Sequence, residues 1–289
     1  MNFPTYKSIV NLLKYRVSIA VSFTAITGYI VFTGRFDFHA LLVAFAVFLL
    51  ACGSSALNQC QEYKYDALMD RTKNRPIPAG EITPIMGVMI SVAFIVFGTI
   101  FLYWGFGWIP ALLGLFNIFW YNLLYTNLKR VTSFAVVPGS LVGAVPVFIG
   151  WTAAGGELFN STIVFIGFFL FIWQIPHFWL LMLKYGKEYE RAGFPTINQS
   201  FNPKSLRNII FMWLVATSFV SITIPLFLVE LSIPFFILIF VLNLSFIGIF
   251  AKLSFGEAAE LNFKKSFIGI NIYMMLFMIL LIAFHVIVI

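Results

Sequence analysis

The sequence predicts an all-α membrane protein in which nine transmembrane helices bundle around a central cavity. Three observations lead there. Hydrophobic residues make up 61% of the chain and charged residues only 10%, with a mean hydropathy of +0.96, far outside the range of soluble globular proteins. Apolar runs of about 20 residues, long enough to cross a hydrocarbon layer roughly 30 Å thick, recur nine times along the chain. The basic residues then alternate. Lys7, Lys14 and Arg16 sit at the first span, Lys64, Arg71, Lys73 and Arg75 follow the second, and Lys129 and Arg130 follow the fourth. Lys184, Lys187, Arg191, Lys204 and Arg207 follow the sixth and Lys252, Lys264 and Lys265 the eighth, which leaves only Arg35 on the other side. Cytoplasmic loops retain positive charge, so this pattern places the N-terminus in the cytoplasm and the C-terminus outside; the membrane expected is a bacterial plasma (inner) membrane. The net charge of +7 is then a product of topology, and no nucleic-acid partner is expected.

The first span, 16–33, follows a basic N-terminus as a secretory signal would. It runs into GYIVFTGRF with no small-residue cleavage site and is expected to be retained. The second, 40–57, leads into a polar segment over about 58–83. The third and fourth, 84–104 and 109–125, are joined by GFGW. The fifth, 134–155, carries PGSLVGAVPVFIGW, whose small residues and prolines suit close helix contact and an interior position. The sixth, 162–183, leads into a second polar segment, 184–208. The last three are 209–228, 233–251 and 266–289. Outer connections (GRFDFH, GFGW, GGELFNS and VELS) are too short to fold. The two long inner segments follow the second and sixth spans, four helices apart, which suggests one domain, 1–289, with a repeat of helices 1–4 and 5–8. Cys52 and Cys60 have no CxxC spacing and lie on the reducing side, which favours structural thiols over a disulfide or zinc site.

Charge is scarce elsewhere, so NQCQEYKYDALMDRTKNRP (58–76) stands out. If 58–70 continues the second helix inward, Asn58, Glu62, Asp66 and Asp70 form a stripe at four-residue steps. Like charges so spaced repel, and more so near the membrane boundary, so something positive must face them. Lys64, Arg71, Lys73 and Arg75 could pair with the acids in an ordinary solvated loop. A sharper reading is Mg²⁺, which is held by one or two carboxylates plus substrate phosphate oxygens. Arg71 and Arg75 would then contact phosphate, either one helical turn apart or in a loop ended by Pro76 and Pro78. YTNLKR (125–130) sets Tyr125 and Lys129 four apart, which reads as an interfacial aromatic with topogenic charge or as a second phosphate contact. His177, after Pro176 within the sixth span, is a structural imidazole or a functional one. Glu188 and Glu190 with Lys184, Lys187 and Arg191 form a second mixed-charge cluster. Acids for Mg²⁺, cations for phosphate and apolar helices behind them suit a prenyl diphosphate, with its charged head and hydrocarbon tail.

At these residues the chain resembles the UbiA superfamily of intramembrane prenyltransferases and, within it, the subgroup that farnesylates haem. The likeness runs from LLKYRVSIAVSFTAITGY (12–29) through the sixth loop. The superfamily's Asn followed by acids at four-residue steps is matched by Asn58, Glu62 and Asp66, extended by Asp70, and its YxxxK by Tyr125 and Lys129. DALMDRTKNRPIPAG (66–80), YTNLKRVTS (125–133), GAVPVFIGW (143–151), PHFW (176–179) and KEYERAGFP (187–195) resemble the subgroup. Glu62 stands where many relatives carry Asp, and Glu188 where paired Asp or Lys-Asp-Tyr is common. The resemblance implies transfer of farnesyl from farnesyl diphosphate to a vinyl group of haem B, with water added. It implies Mg²⁺ at Glu62, Asp66 and Asp70, catalytic work by these acids with Tyr125 and Lys129, and substrate binding by Asn58, Arg71, Arg75 and Arg130. Lys187, Glu188 and Tyr189 would close the site, and His177 would meet haem. Membrane lipid and an oxidase-assembly protein are the expected partners. Two rivals remain open: the same fold with a quinone-ring or chlorophyll-type acceptor, and an ion-coupled transporter.

Overall fold

A computed structural model describes residues 4–228, 232–255 and 263–288. Most of the outer turn VELS and the last residue of the ninth predicted span, 289, lie outside them. The described residues contain nine helices long and apolar enough to cross a membrane. They are α1 Tyr15–Thr33, α2 Phe38–Asp66, α3 Pro84–Phe106, α4 Trp108–Leu128 and α5 Ser133–Ala153. The chain continues through α6 Ser161–Arg191, α7 Pro203–Phe227, α8 Ile233–Phe255 and α9 Lys264–Ile287. A short helix, Tyr6–Leu12, precedes α1.

Local chemistry sets where these helices begin and stop. Asp37, Thr83, Asn160 and Asn202 each accept a backbone N–H of the first turn through the side chain, at the starts of α2, α3, α6 and α7. Gly34 ends α1, and Gly107 breaks the chain between α3 and α4, both at positive φ. The predicted spans agree with the helices to within four residues except at three inner ends, one of them the start of α7, which lies at Pro203 and not at 209. α2 runs past 57 to Asp66 and α6 past 183 to Arg191, because hydropathy marks where the membrane ends, not where the backbone stops being helical. The helical stripe therefore stops at Asp66. Asp70 lies beyond it, among turns.

Consecutive helices pack on one another around a ring that α9 closes by packing against both α1 and α6. α5 sits inside, as its small residues suggest: 61% of its apolar stretch is buried, against 22% for α3. It approaches α1 backbone to backbone. A Cβ on Gly28 would lie 2.0 Å from the Val147 carbonyl oxygen, and one on Gly150 would lie 1.8 Å from that of Ala25. Without a hydrophobic force between helices in lipid, such contact and interhelical hydrogen bonds hold the bundle. One bonded cluster ties α7, α8 and α9: Asn243 Oδ1 accepts from Ser218 Oγ at 2.5 Å, Ser221 Oγ at 2.7 Å and Tyr273 OH at 2.8 Å.

Candidate active site

The inner end of α2 carries Asn58, Glu62 and Asp66 on one face, and all three are buried, at 2%, 5% and 1% exposure. Two carboxylates one turn apart and out of water must be compensated. Lys129 Nζ supplies this for Glu62, donating a hydrogen bond to Oε2 at 2.7 Å and lying 2.7 Å from Oε1, which itself accepts no hydrogen bond. Arg75 Nη1 does so for Asp66, at 2.8 Å from Oδ1 and 2.7 Å from Oδ2. Asn58 Nδ2 completes the set, donating to Glu62 Oε2 at 3.1 Å and Thr126 Oγ1 at 3.2 Å. The acids are thus a buried, paired cluster and not a solvated face.

Several unpredicted residues position this cluster. α4 changes to a π-helical turn over Trp120–Tyr125, which alters the face its following residues present. Buried Asn122 at its centre accepts from Ser54 Oγ at 2.6 Å and donates to Ser54 O at 3.1 Å and Gln61 Oε1 at 3.2 Å. Gln61 Nε2 donates in return to Asn122 O at 3.0 Å. The end of α4 is thereby fixed to α2, and Lys129 to Glu62. The only advance signal was a run of amides and hydroxyls, Ser54, Gln61, Asn122 and Thr126, in otherwise apolar sequence.

Arg130 goes elsewhere than the acids. Its Nη2 donates to Gln61 O at 3.1 Å and its guanidinium lies 4.9 Å from the Tyr65 ring centre. Residues 67–80 form a loop of turns rather than a further helical turn, with Thr72 Oγ1 donating to Asp66 O at 2.9 Å. Asp70 is 67% exposed on this loop and pairs with Lys73 at 2.6 Å, which holds its carboxyl below the ordinary range. It does not join Glu62 and Asp66. The two polar loops do meet: Arg71 N donates to Glu188 Oε2 at 2.9 Å and Arg71 Nη2 to Tyr189 OH at 3.0 Å. Glu188 thus caps the first loop, Glu190 accepts from Thr196 Oγ1, and Lys187 is exposed without an ion pair among the described residues.

Beside Lys129 lies a cavity of about 70 Å³ lined by Tyr125, Phe178, Met182, Tyr189 and Phe194 among others. Its volume equals about two waters at ~30 Å³ each, so a long chain could enter only if flexible linings such as Met182 moved. The Tyr125 ring stacks on Phe178 at 6.1 Å and packs so closely on α5 that a Cβ on Gly139 would lie 2.4 Å from it. His177 is outside this lining, between Trp173 at 4.8 Å and Phe267 at 4.9 Å, with Nδ1 buried and unbonded. A much larger groove, about 810 Å³, lies between α2 and α3 on apolar side chains, away from the charged groups.

Among the described residues no three His, Cys, Asp or Glu side chains gather as a metal cage. Glu62 and Asp66, with the Asn58 amide beside Glu62, are nonetheless the hard donors that suit Mg²⁺ when a substrate phosphate completes its shell.

The UbiA prenyltransferase family model matches residues 20–286. The protoheme IX farnesyltransferase of Geobacter sulfurreducens is 40% identical over 65% of this chain and 70% of its own. That of Christiangramia forsetii is 34% identical over 90% and 87%. Among solved structures, a UbiA homolog from Archaeoglobus fulgidus bound to GPP and Mg2+ superposes with a TM-score of 0.74 at 16% identity, covering 96% of this chain and 99% of that one. A digeranylgeranylglyceryl phosphate synthase superposes with a TM-score of 0.77 at 17% identity, covering 97% and 98%. These last two bear on the fold alone. With nine apolar helices, a buried acid pair held by Lys129 and Arg75, and matches of this extent, the chain belongs to the UbiA prenyltransferase family and is an integral membrane enzyme of the transferase class.

Proposed function

We propose that this enzyme transfers the farnesyl group of farnesyl diphosphate to a vinyl group of haem B in a Mg²⁺-dependent reaction, water adding to the product side chain. The observation that carries the reading is the Glu62–Lys129 and Asp66–Arg75 cluster beside an aromatic cavity. The acceptor and the donor chain length come from the relatives named for haem farnesylation. The Archaeoglobus neighbour's Mg2+ and GPP support a metal and a prenyl diphosphate.

Glu62 and Asp66, with Asn58 beside them, would hold Mg²⁺, which when bound supplies positive charge to the diphosphate oxygens. Lys129 and Arg75, beside these acids, would offer their charge to the diphosphate as its bond to the allylic carbon breaks. Arg71 stands at the loop junction with Glu188 and Tyr189, and Arg130 keeps α4 on α2. The rings of Tyr125, Phe178, Tyr189 and Phe194 exclude water and offer their faces to an allylic cation. The vinyl group attacks that carbon, and the cation left on the side chain takes water and loses a proton. His177, with a free ring nitrogen among aromatics, is the proposed haem contact. The metal role suits Asp70 less than Glu62 and Asp66, since Lys73 already occupies it at the surface.

We place the loops carrying these residues on the cytoplasmic face of a bacterial plasma membrane, from the alternation of basic residues. The reading is tested by incubating the purified protein in lipid with haem B, farnesyl diphosphate and Mg²⁺ and following haem by mass spectrometry. A haem heavier by one hydroxylated farnesyl unit is expected. Release of diphosphate with a quinone precursor and not with haem would overturn the acceptor and keep the fold.

A further inference from the structure

One cation within reach of the acid pair's field has no partner among the described residues. Lys14 lies between the short helix Tyr6–Leu12 and α1, half-buried, and its side chain forms no hydrogen bond or ion pair among the described residues. It is also the only non-glycine at positive φ among those residues, with φ 45° and ψ 45°. An L side chain in that conformation is strained, and such a residue persists only where its surroundings impose it. Here α2 imposes it. Buried Gln59, next to Asn58, donates through Nε2 to Leu12 O at 2.7 Å and Asn11 O at 3.3 Å, which fixes the turn just before Lys14. Ser18 Oγ holds Leu13 O from the other side at 3.2 Å.

The turn therefore holds Lys14 against the inner end of α2, two residues after the Leu12 carbonyl bonded by the neighbour of Asn58. Burial lowers the Lys14 pKa to about 7; Arg75 and Lys129 lower it as well, while Glu62 and Asp66 oppose them. The two acids already have their own cations. A lysine left without an anion among two compensated ion pairs, on a strained backbone that a glycine would adopt freely, is arranged to receive a negative group from outside the chain.

We propose that Lys14 binds an oxyanion of a substrate entering this site, and that the clamped turn made by Gln59 and Ser18 exists to aim it. Resting on the proposed function, the anion is either the diphosphate of the prenyl donor or a carboxylate of the haem acceptor. Both present the same chemistry to an ammonium.

Binding measurements separate the possibilities without turnover. Wild type, Lys14→Met, Lys14→Gly and Lys14→Arg are titrated in lipid with Mg²⁺–farnesyl diphosphate, with haem B and with haem B dimethyl ester. Lys14→Gly suits the left-handed backbone, so it keeps the test sound if Lys14→Met folds poorly. Both neutral variants should bind one ligand about tenfold more weakly, the effect of losing one charge-assisted hydrogen bond, and Lys14→Arg should restore it. Weaker farnesyl diphosphate binding identifies the diphosphate. Weaker haem binding with unchanged dimethyl ester binding identifies the carboxylate. Unchanged affinity for all three overturns the inference, as does an equal loss for all three with a lowered melting temperature, which marks a structural residue. If the wild type binds neither farnesyl diphosphate nor haem, the functional reading fails first and this inference with it.

Discussion

Glu62 and Asp66 are each held by one cation, so single truncations leave a buried charge alone. Lys129→Met should lower the melting temperature, because an uncompensated buried carboxylate costs about 3–5 kcal/mol. Adding Glu62→Gln should restore the melting temperature while leaving turnover at least about 100-fold down, the scale of losing one preorganised group that stabilises the transition state. Recovery of both would make the pair purely structural. Asp66→Asn should abolish turnover in a folded protein, and a near wild-type rate would remove the acids from the chemistry. His177→Ala should weaken haem binding by about tenfold, roughly one lost polar contact, without changing farnesyl diphosphate binding. Equal losses of both, or of neither, would dismiss its haem role.

At the scale of elements, the α1–α5 contact and the α2–α4 clamp matter most. A Cβ at Gly150 would meet a carbonyl oxygen at 1.8 Å, whereas one at Gly105 would meet nothing within 4 Å. Gly150→Val should therefore abolish folded yield in detergent and Gly105→Val should not, read by size-exclusion chromatography. Asn122 touches neither acid, yet Asn122→Leu should lower turnover by freeing Lys129 from its register on Glu62, with rate recovered poorly by saturating substrate. An unchanged rate would separate the π-helical turn from the site. The stop of α2 at Asp66 was not legible beforehand, because four-residue spacing continues through Asp70 whether or not the helix does. Only the turns after Asp66 turn Asp70 out to Lys73.

For the whole molecule, the ring of helices brings two loops from distant parts of the chain together at Arg71, Glu188 and Tyr189. Glu188→Ala removes the acceptor of the Arg71 N–H, and should make residues 66–80 more open to protease with farnesyl diphosphate absent. Single-cysteine labelling tests the orientation drawn from the basic residues. Lys73→Cys should react from the cytoplasmic side and Arg35→Cys from the opposite side only.

Hydropathy alone determined the number of helices among the described residues, since a bilayer forces each span to be long, apolar and internally hydrogen-bonded. The motif spacing likewise singled out Asn58, Glu62, Asp66, Tyr125 and Lys129 as candidates. What only the tertiary structure decided is partnership: Lys129 goes to Glu62 and Arg75 to Asp66, Arg130 goes to a carbonyl, and Lys14 has no hydrogen-bond or ion-pair partner among the described residues. Sequence lists charges in order, but which charges meet depends on how helices far apart in the chain pack and where their backbones bend. The π-helical turn at Asn122 and the left-handed Lys14 are such bends, and neither has a local sequence cause strong enough to announce it.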